Sequence, residues 1–99
     1  MSIQQTIDEM KNGNISEIKR SISSKTPILI MNSLIFGVKN NLIEEDYIDK
    51  VKQLCSDDTT LMGFRIGSIA EAALSVLTCK KYTGNDLVTK SLIENNFNI

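Results

Sequence analysis

The stretch Ile15-Ser16-Glu17-Ile18-Lys19 is echoed 33 residues later by Ile48-Asp49-Lys50-Val51-Lys52. The same register sets Ser23 beside Ser56, Thr26 beside Thr59, Ile28 beside Leu61 and Leu29 beside Met62. Each copy reads as a short helix, a break of four or five residues and a longer, more apolar helix. A repeat of this length marks stacked helical hairpins, whose units cannot bury their apolar faces alone. Such proteins mostly bind other macromolecules rather than do chemistry. The expected fold is all-α, with five or six antiparallel helices in one domain spanning residues 1–99.

Outward from the repeat, helix boundaries follow from caps. Helix 1 is expected over Ser2 to Lys11, with Ser2 and Gln5 at capping-box spacing, a stripe of Ile3, Ile7 and Met10, and Gly13 as terminator. Helix 2 starts at Asn14, with Glu17 completing a second capping box, and stops at Ser23-Ser24-Lys25. Helix 3 takes Thr26 as N-cap and Pro27 at its first position, where the missing N–H costs nothing, and runs to about Asn40. Ile28, Met31, Leu34, Ile35 and Val38 share one face. Leu29 and Phe36 lie on the other, either covered by a neighbouring helix or forming a partner-binding patch.

Helix 4 is expected from Glu44 to Cys55, with Tyr47, Ile48, Val51, Leu54 and Cys55 inward. Helix 5 is expected from Thr60 to Thr78, with Met62, Ile66, Ile69, Ala73, Val76 and Leu77 buried. Gly63 and Gly67 then fall inside a helix, at roughly 1 kcal/mol each against alanine, a cost usually justified by close approach of another helix. Helix 6 covers about 85–95.

The composition is that of an ordinary soluble globular protein, 41% hydrophobic and 23% charged. A net charge of −1 carries no basic stripe for nucleic acid. A helix-turn-helix reading is weak, because helices 3 and 5 carry just Lys39 and Arg65 between them. The early charges Asp8, Glu9 and Lys11 do not suit a signal peptide. No apolar run approaches the ~18 residues of a membrane helix. Cys55 and Cys79 have neither metal-ligand spacing nor a disulfide framework, so both are expected as reduced thiols in a cytosolic protein.

No catalytic constellation is present. The chain has no histidine, the commonest general base, and no glycine-rich phosphate loop. No cofactor or metal is expected, and the protein reads as a non-enzyme. The acids are more informative. Residues 44–58 hold Glu44, Glu45, Asp46, Asp49, Asp57 and Asp58 against Lys50 and Lys52, a local charge of −4. Much of this has a structural account. Acids in the first turn of helix 4 suit the helix dipole, Asp57 and Asp58 can cap helix 5, and Asp46 can pair with Lys50. Glu45 and Asp49 resist it, being like charges four apart on the outward face. Phe64 is the second anomaly. On a helical wheel it falls among Ser68, Glu71 and Ser75, either covered by helix 3 or 6 or exposed as a binding anchor.

Asp57-Asp58, Arg65, Ala70, Ala72, Ala73 and Leu74 resemble the second half of a HEAT repeat. The resemblance covers 44–78 well and 14–39 loosely, where Pro27 fits but no arginine matches Arg65. It implies that the acidic turn and Arg65 tie neighbouring repeats together. In size, charge and helix content the chain is also similar to small helical bacterial immunity proteins, which neutralise partner toxins, often nucleases. That resemblance implies a protein-binding inhibitor of a cognate toxin domain, a monomer or weak homodimer, with Glu44, Glu45, Asp46, Asp49, Asp57, Asp58 and Phe64 as the partner-binding residues. The alternative is a HEAT-like scaffold or adaptor that mediates assembly.

Overall fold

A computed structural model describes residues 2–61 and 63–78. The sixth helix expected over 85–95, Cys79 and the inward placement of Met62 lie outside the described residues. Among the described residues five helices, α1 (Ile3–Lys11), α2 (Ile15–Ser21), α3 (Pro27–Lys39), α4 (Glu45–Leu54) and α5 (Ile66–Leu77), make the structure mostly helical. A two-stranded antiparallel sheet, β1 (Thr60–Leu61) and β2 (Phe64–Arg65), precedes α5.

The helix ends follow local chemistry. Ser2 and Gln5 form the reciprocal capping box of α1. At α2 the box is half made: Asn14 Oδ1 accepts the Glu17 N–H at 3.3 Å, while the Glu17 carboxylate turns to Arg20. Two helices end in the same six-residue pattern. After α1, Gly13 (φ +86°) lets Asn14 N–H reach the Glu9 carbonyl at 3.0 Å. After α3, Asn41 (φ +50°) lets Leu42 N–H reach the Gly37 carbonyl at 2.9 Å. Both turns satisfy carbonyls that a helix end would otherwise leave open. The second also buries Leu42 and brings the chain round to α4.

Helix 5 does not begin at Thr60. The left-handed Gly63 (φ +85°) cannot continue a right-handed helix, and Leu61 pairs across the hairpin with Phe64, both packing against the core. The hairpin loops residues 60–65 out between Thr59 and Ile66, whose N–H donates to the Thr59 carbonyl at 2.8 Å. Beyond it the repeat offset grows from 33 to 39. Ile30 and Ile69, Met31 and Ala70, Ser33 and Ala72, Leu34 and Ala73, and Val38 and Leu77 are then equivalent, and all ten are buried.

The core joins Met10 and Ile18 to Leu34, Val51, Ile66, Ile69 and Ala73, all shielded completely from solvent. Helix α2 packs on α3, α4 on α5, and α3 on α5. Ile35, read on the apolar face of helix 3, and Ile48, Leu54 and Cys55, expected inward, are only partly buried. On α3 the buried arc runs through Ile30, Ser33 and Gly37 rather than through Ile28 and Ile35, because Tyr47 from α4 fills the space over Gly37. Gly67, unlike Gly63, has the expected reason for being glycine. A Cβ there would lie 2.6 Å from the Cys55 carbonyl oxygen at the end of α4.

Candidate protein-binding surface

The orientation of α4 is set by one buried side chain. Tyr47 is almost fully enclosed, and its hydroxyl donates to the Ser33 carbonyl at 2.7 Å. Ser33 Oγ in turn donates to the Ile18 carbonyl at 2.6 Å, so three helices meet at two hydroxyls. Burial pushes the Tyr47 phenol up to about 12, although its hydrogen bond with Ser33 acts in the opposite direction. With Tyr47 and Val51 held inward, helical periodicity leaves Glu45 and Asp49 outward, and both are exposed.

The six acids of residues 44–58 have different surroundings. Lys19 of α2 bridges Glu44 at 2.8 Å and Asp46 at 2.9 Å. The expected Asp46–Lys50 pair is therefore replaced by a longer-range clasp, which fixes the start of α4 to α2. Lys19 and its own backbone neighbour Tyr47 hold the Asp46 carboxyl below the usual range, with the Lys19 hydrogen bond the larger cause. Lys19 itself is raised by hydrogen bonds to Glu44 and then Asp46. At the other end, Asp58 accepts from Arg65 Nε at 2.8 Å across the hairpin. That ion pair spans one turn of the chain, within residues 58–65. Asp57 does not cap α5 with its side chain. Its carboxylate accepts the Thr59 N–H at 2.8 Å, and the Thr59 side chain, then that N–H, lower its pKa, while its backbone carbonyl takes the Gly67 N–H at 2.9 Å. Glu45 and Asp49 take no ion pair among the described residues.

Phe64 stands on β2, not on a helix, and is partly buried against the core. The wheel that set it among Ser68, Glu71 and Ser75 presumed a helix from Thr60. Leu29 and Phe36 are also partly buried, and Lys39 lies over the Phe36 ring at 5.5 Å. The residue missed in the sequence is Ile43. It is 58% exposed, between the buried Leu42 and the clasped Glu44, and it stands next to Glu45. Its signal was its place outside both helical patterns, an isoleucine between the turn Asn40-Asn41 and a run of acids.

A cleft of about 570 Å³ opens between the break that follows α2, with the start of α3, and the second half of α4, with the break that follows it. Its floor is Ile22, Pro27, Ile30, Leu54 and Ile66. Lys25, Lys50 and Asp57 reach it from the rim, together with hydroxyls of both interhelix breaks, Ser23 and Ser56 among them. The two breaks that the repeat aligned thus face one space.

Among the described residues no three of His, Cys, Asp and Glu converge as metal ligands, and no helix is long and apolar enough to cross a membrane. Burial, followed by the nearby Glu71, pushes the Cys55 thiol up, away from the reactive thiolate form. Compared with protein-family models, with curated proteins and with solved structures, the chain matches none.

Proposed function

We propose that the protein is a dedicated inhibitor, which binds and neutralises a cognate bacterial toxin domain with a cationic site, possessing no catalytic activity of its own. In this reading it is cytoplasmic, a monomer or weak homodimer, built of HEAT-like antiparallel hairpins α2–α3 and α4–α5. The contacts within each pair and the recurrence of buried positions support that architecture. The observation that carries the functional reading is Ile43. A large apolar side chain, exposed on a turn fixed by Leu42 and by the Lys19 clasp, leads into a helix whose exposed Glu45 and Asp49 take no ion pair among the described residues. An apolar anchor next to uncompensated charge is the arrangement of a binding hot spot with a steering rim.

The test is titration against the toxin domain encoded beside its gene, at two salt concentrations. Glu45→Lys with Asp49→Lys should leave the fold intact, since both positions are exposed, and should weaken binding. If each carboxylate is buried against a cation in the complex, each loss is on the order of 2–5 kcal/mol. Unchanged affinity in the double variant, without salt dependence, would sink the reading. The second reading, a scaffold that mediates assembly, is favoured by the cleft between the two interhelix breaks. A gene neighbourhood without a toxin would favour it further.

A further inference from the structure

We infer that the molecule carries both halves of a head-to-tail contact with a second copy of itself, Ile43 of one copy seating in the cleft between the two interhelix breaks of the next. This goes beyond the inhibitor reading and stands without it.

The knob is pre-formed. Asn41 in the left-handed conformation and the buried Leu42 fix the turn on one side of Ile43, and the Glu44–Lys19 ion pair fixes it on the other. An anchor held rigidly loses little conformational freedom on docking. The hole is also pre-formed. Its floor is apolar, and its volume of about 570 Å³ is ample for a side chain and its turn. The surrounding charges match. Glu45, two residues along from the knob, takes no ion pair among the described residues, and neither do Lys25 and Lys50, which line the hole. Asp57 also lines the hole and stays ionised, so Lys25 and Lys50 leave the lining with a net charge of +1.

Geometry decides the mode of contact. Ile43 precedes α4 and the cleft is lined by Lys50, Gln53 and Leu54 of its second half, so knob and hole are separated by about 10 Å or more of helix. A molecule cannot fill its own cleft with its own Ile43. A knob that fits a pocket elsewhere on the same surface makes a heterologous contact, which propagates unless the rotation closes it. The contact is small, so association is weak and shows at high concentration.

The experiment is sedimentation velocity on the full chain, from micromolar to millimolar concentration. The wild type should gain mass with concentration. Ile43→Ser should weaken association roughly tenfold or more, as expected for losing a buried isoleucine. Lys25→Glu with Lys50→Glu should abolish it by opposing like charges, and raised salt should weaken the wild type. The two variants keep complementary halves, an intact hole in one and an intact knob in the other. Mixed, they should form a one-to-one pair that grows no further. Circular dichroism of each variant checks the fold. A wild-type mass that holds at the monomer across the range overturns the inference. So does association that neither variant weakens, or a failure of the two folded variants to pair.

Discussion

The unit α2–α3 and the unit α4–α5 enter their second helix by different routes. In the first, Thr26 leads directly into Pro27 and its carbonyl accepts the Ile30 N–H at 3.2 Å. In the second, the matching Thr59 carbonyl accepts Ile66 N–H from across a hairpin. The side chains that fill the two helices differ as well. Where α3 carries Met31, Ser33 and Leu34, α5 carries Ala70, Ala72 and Ala73 at the same buried positions. Bulk in one helix and small residues in the other let them interdigitate at close packing, as protein interiors require. The difference teaches that a repeat can keep its core positions while its register along the chain shifts.

The sharpest way to break this equivalence is to truncate the matched isoleucines. Ile69→Ala should cost about 2–5 kcal/mol in a denaturant titration, because Ile69 is wholly enclosed. Ile30→Ala should fall at the low end, since Ile30 borders the cleft and the gap it leaves opens to water. An Ile69→Ala cost under half a kcal/mol would remove α5 from the core.

Next in size is the joint between the units. Tyr47→Phe removes the hydroxyl that donates to Ser33 and should cost about 1–2 kcal/mol. The wild type should also lose stability in alkali. The folded state holds the Tyr47 proton more tightly than the unfolded chain does. Its contribution is complete below the ordinary value of 10.0 and declines as pH rises toward about 12. The full loss is about 2–3 kcal/mol. Urea midpoints across that range should fall more steeply in the wild type than in Tyr47→Phe, which keeps the alkaline loss of the raised Lys19 but not that of Tyr47.

The two glycines of the second unit should part company. Gly63→Ala meets no atom within 4 Å, and its cost of about 1–2 kcal/mol comes from the left-handed backbone. D-Alanine at 63, introduced by chemical synthesis, should therefore be tolerated. At Gly67 an L-methyl collides with the Cys55 carbonyl and the Arg65 side chain, and D-alanine, which moves the methyl off those atoms, is instead strained by the right-handed helical backbone, so it should bring no such relief. The smallest effect belongs to the hairpin ion pair. Asp58 is 88% exposed, and Asp58→Ala should change stability by about 0–1 kcal/mol.

What could be read in the sequence was what depends on near neighbours. Capping at Ser2, proline at 27, the left-handed Gly13 and the inward stripe of α4 all follow from residues within one or two turns. The hairpin did not, because Ile66 and Ile69 keep helical spacing with Met62 and so extend the pattern backward through Gly63. Its cue was the pair of glycines four apart, one in a helix and one outside it. The surface was legible in part. Glu45 and Asp49 were read outward from periodicity alone, and both are exposed. The Lys19 clasp, the exposed Ile43 and the cleft depend on how α2 lies beside α4, which no local pattern records.

The enclosed hydroxyl of Tyr47 also gives the molecule an optical reporter. The chain has no tryptophan and two tyrosines. With Tyr82→Phe, the near-ultraviolet absorption would come from Tyr47 alone among tyrosines. Its phenol can ionise at its ordinary pH only after the ring has left α3. A pH jump followed by the appearance of tyrosinate absorbance would then time the opening of the joint between α3 and α4, with no dye attached and no partner present.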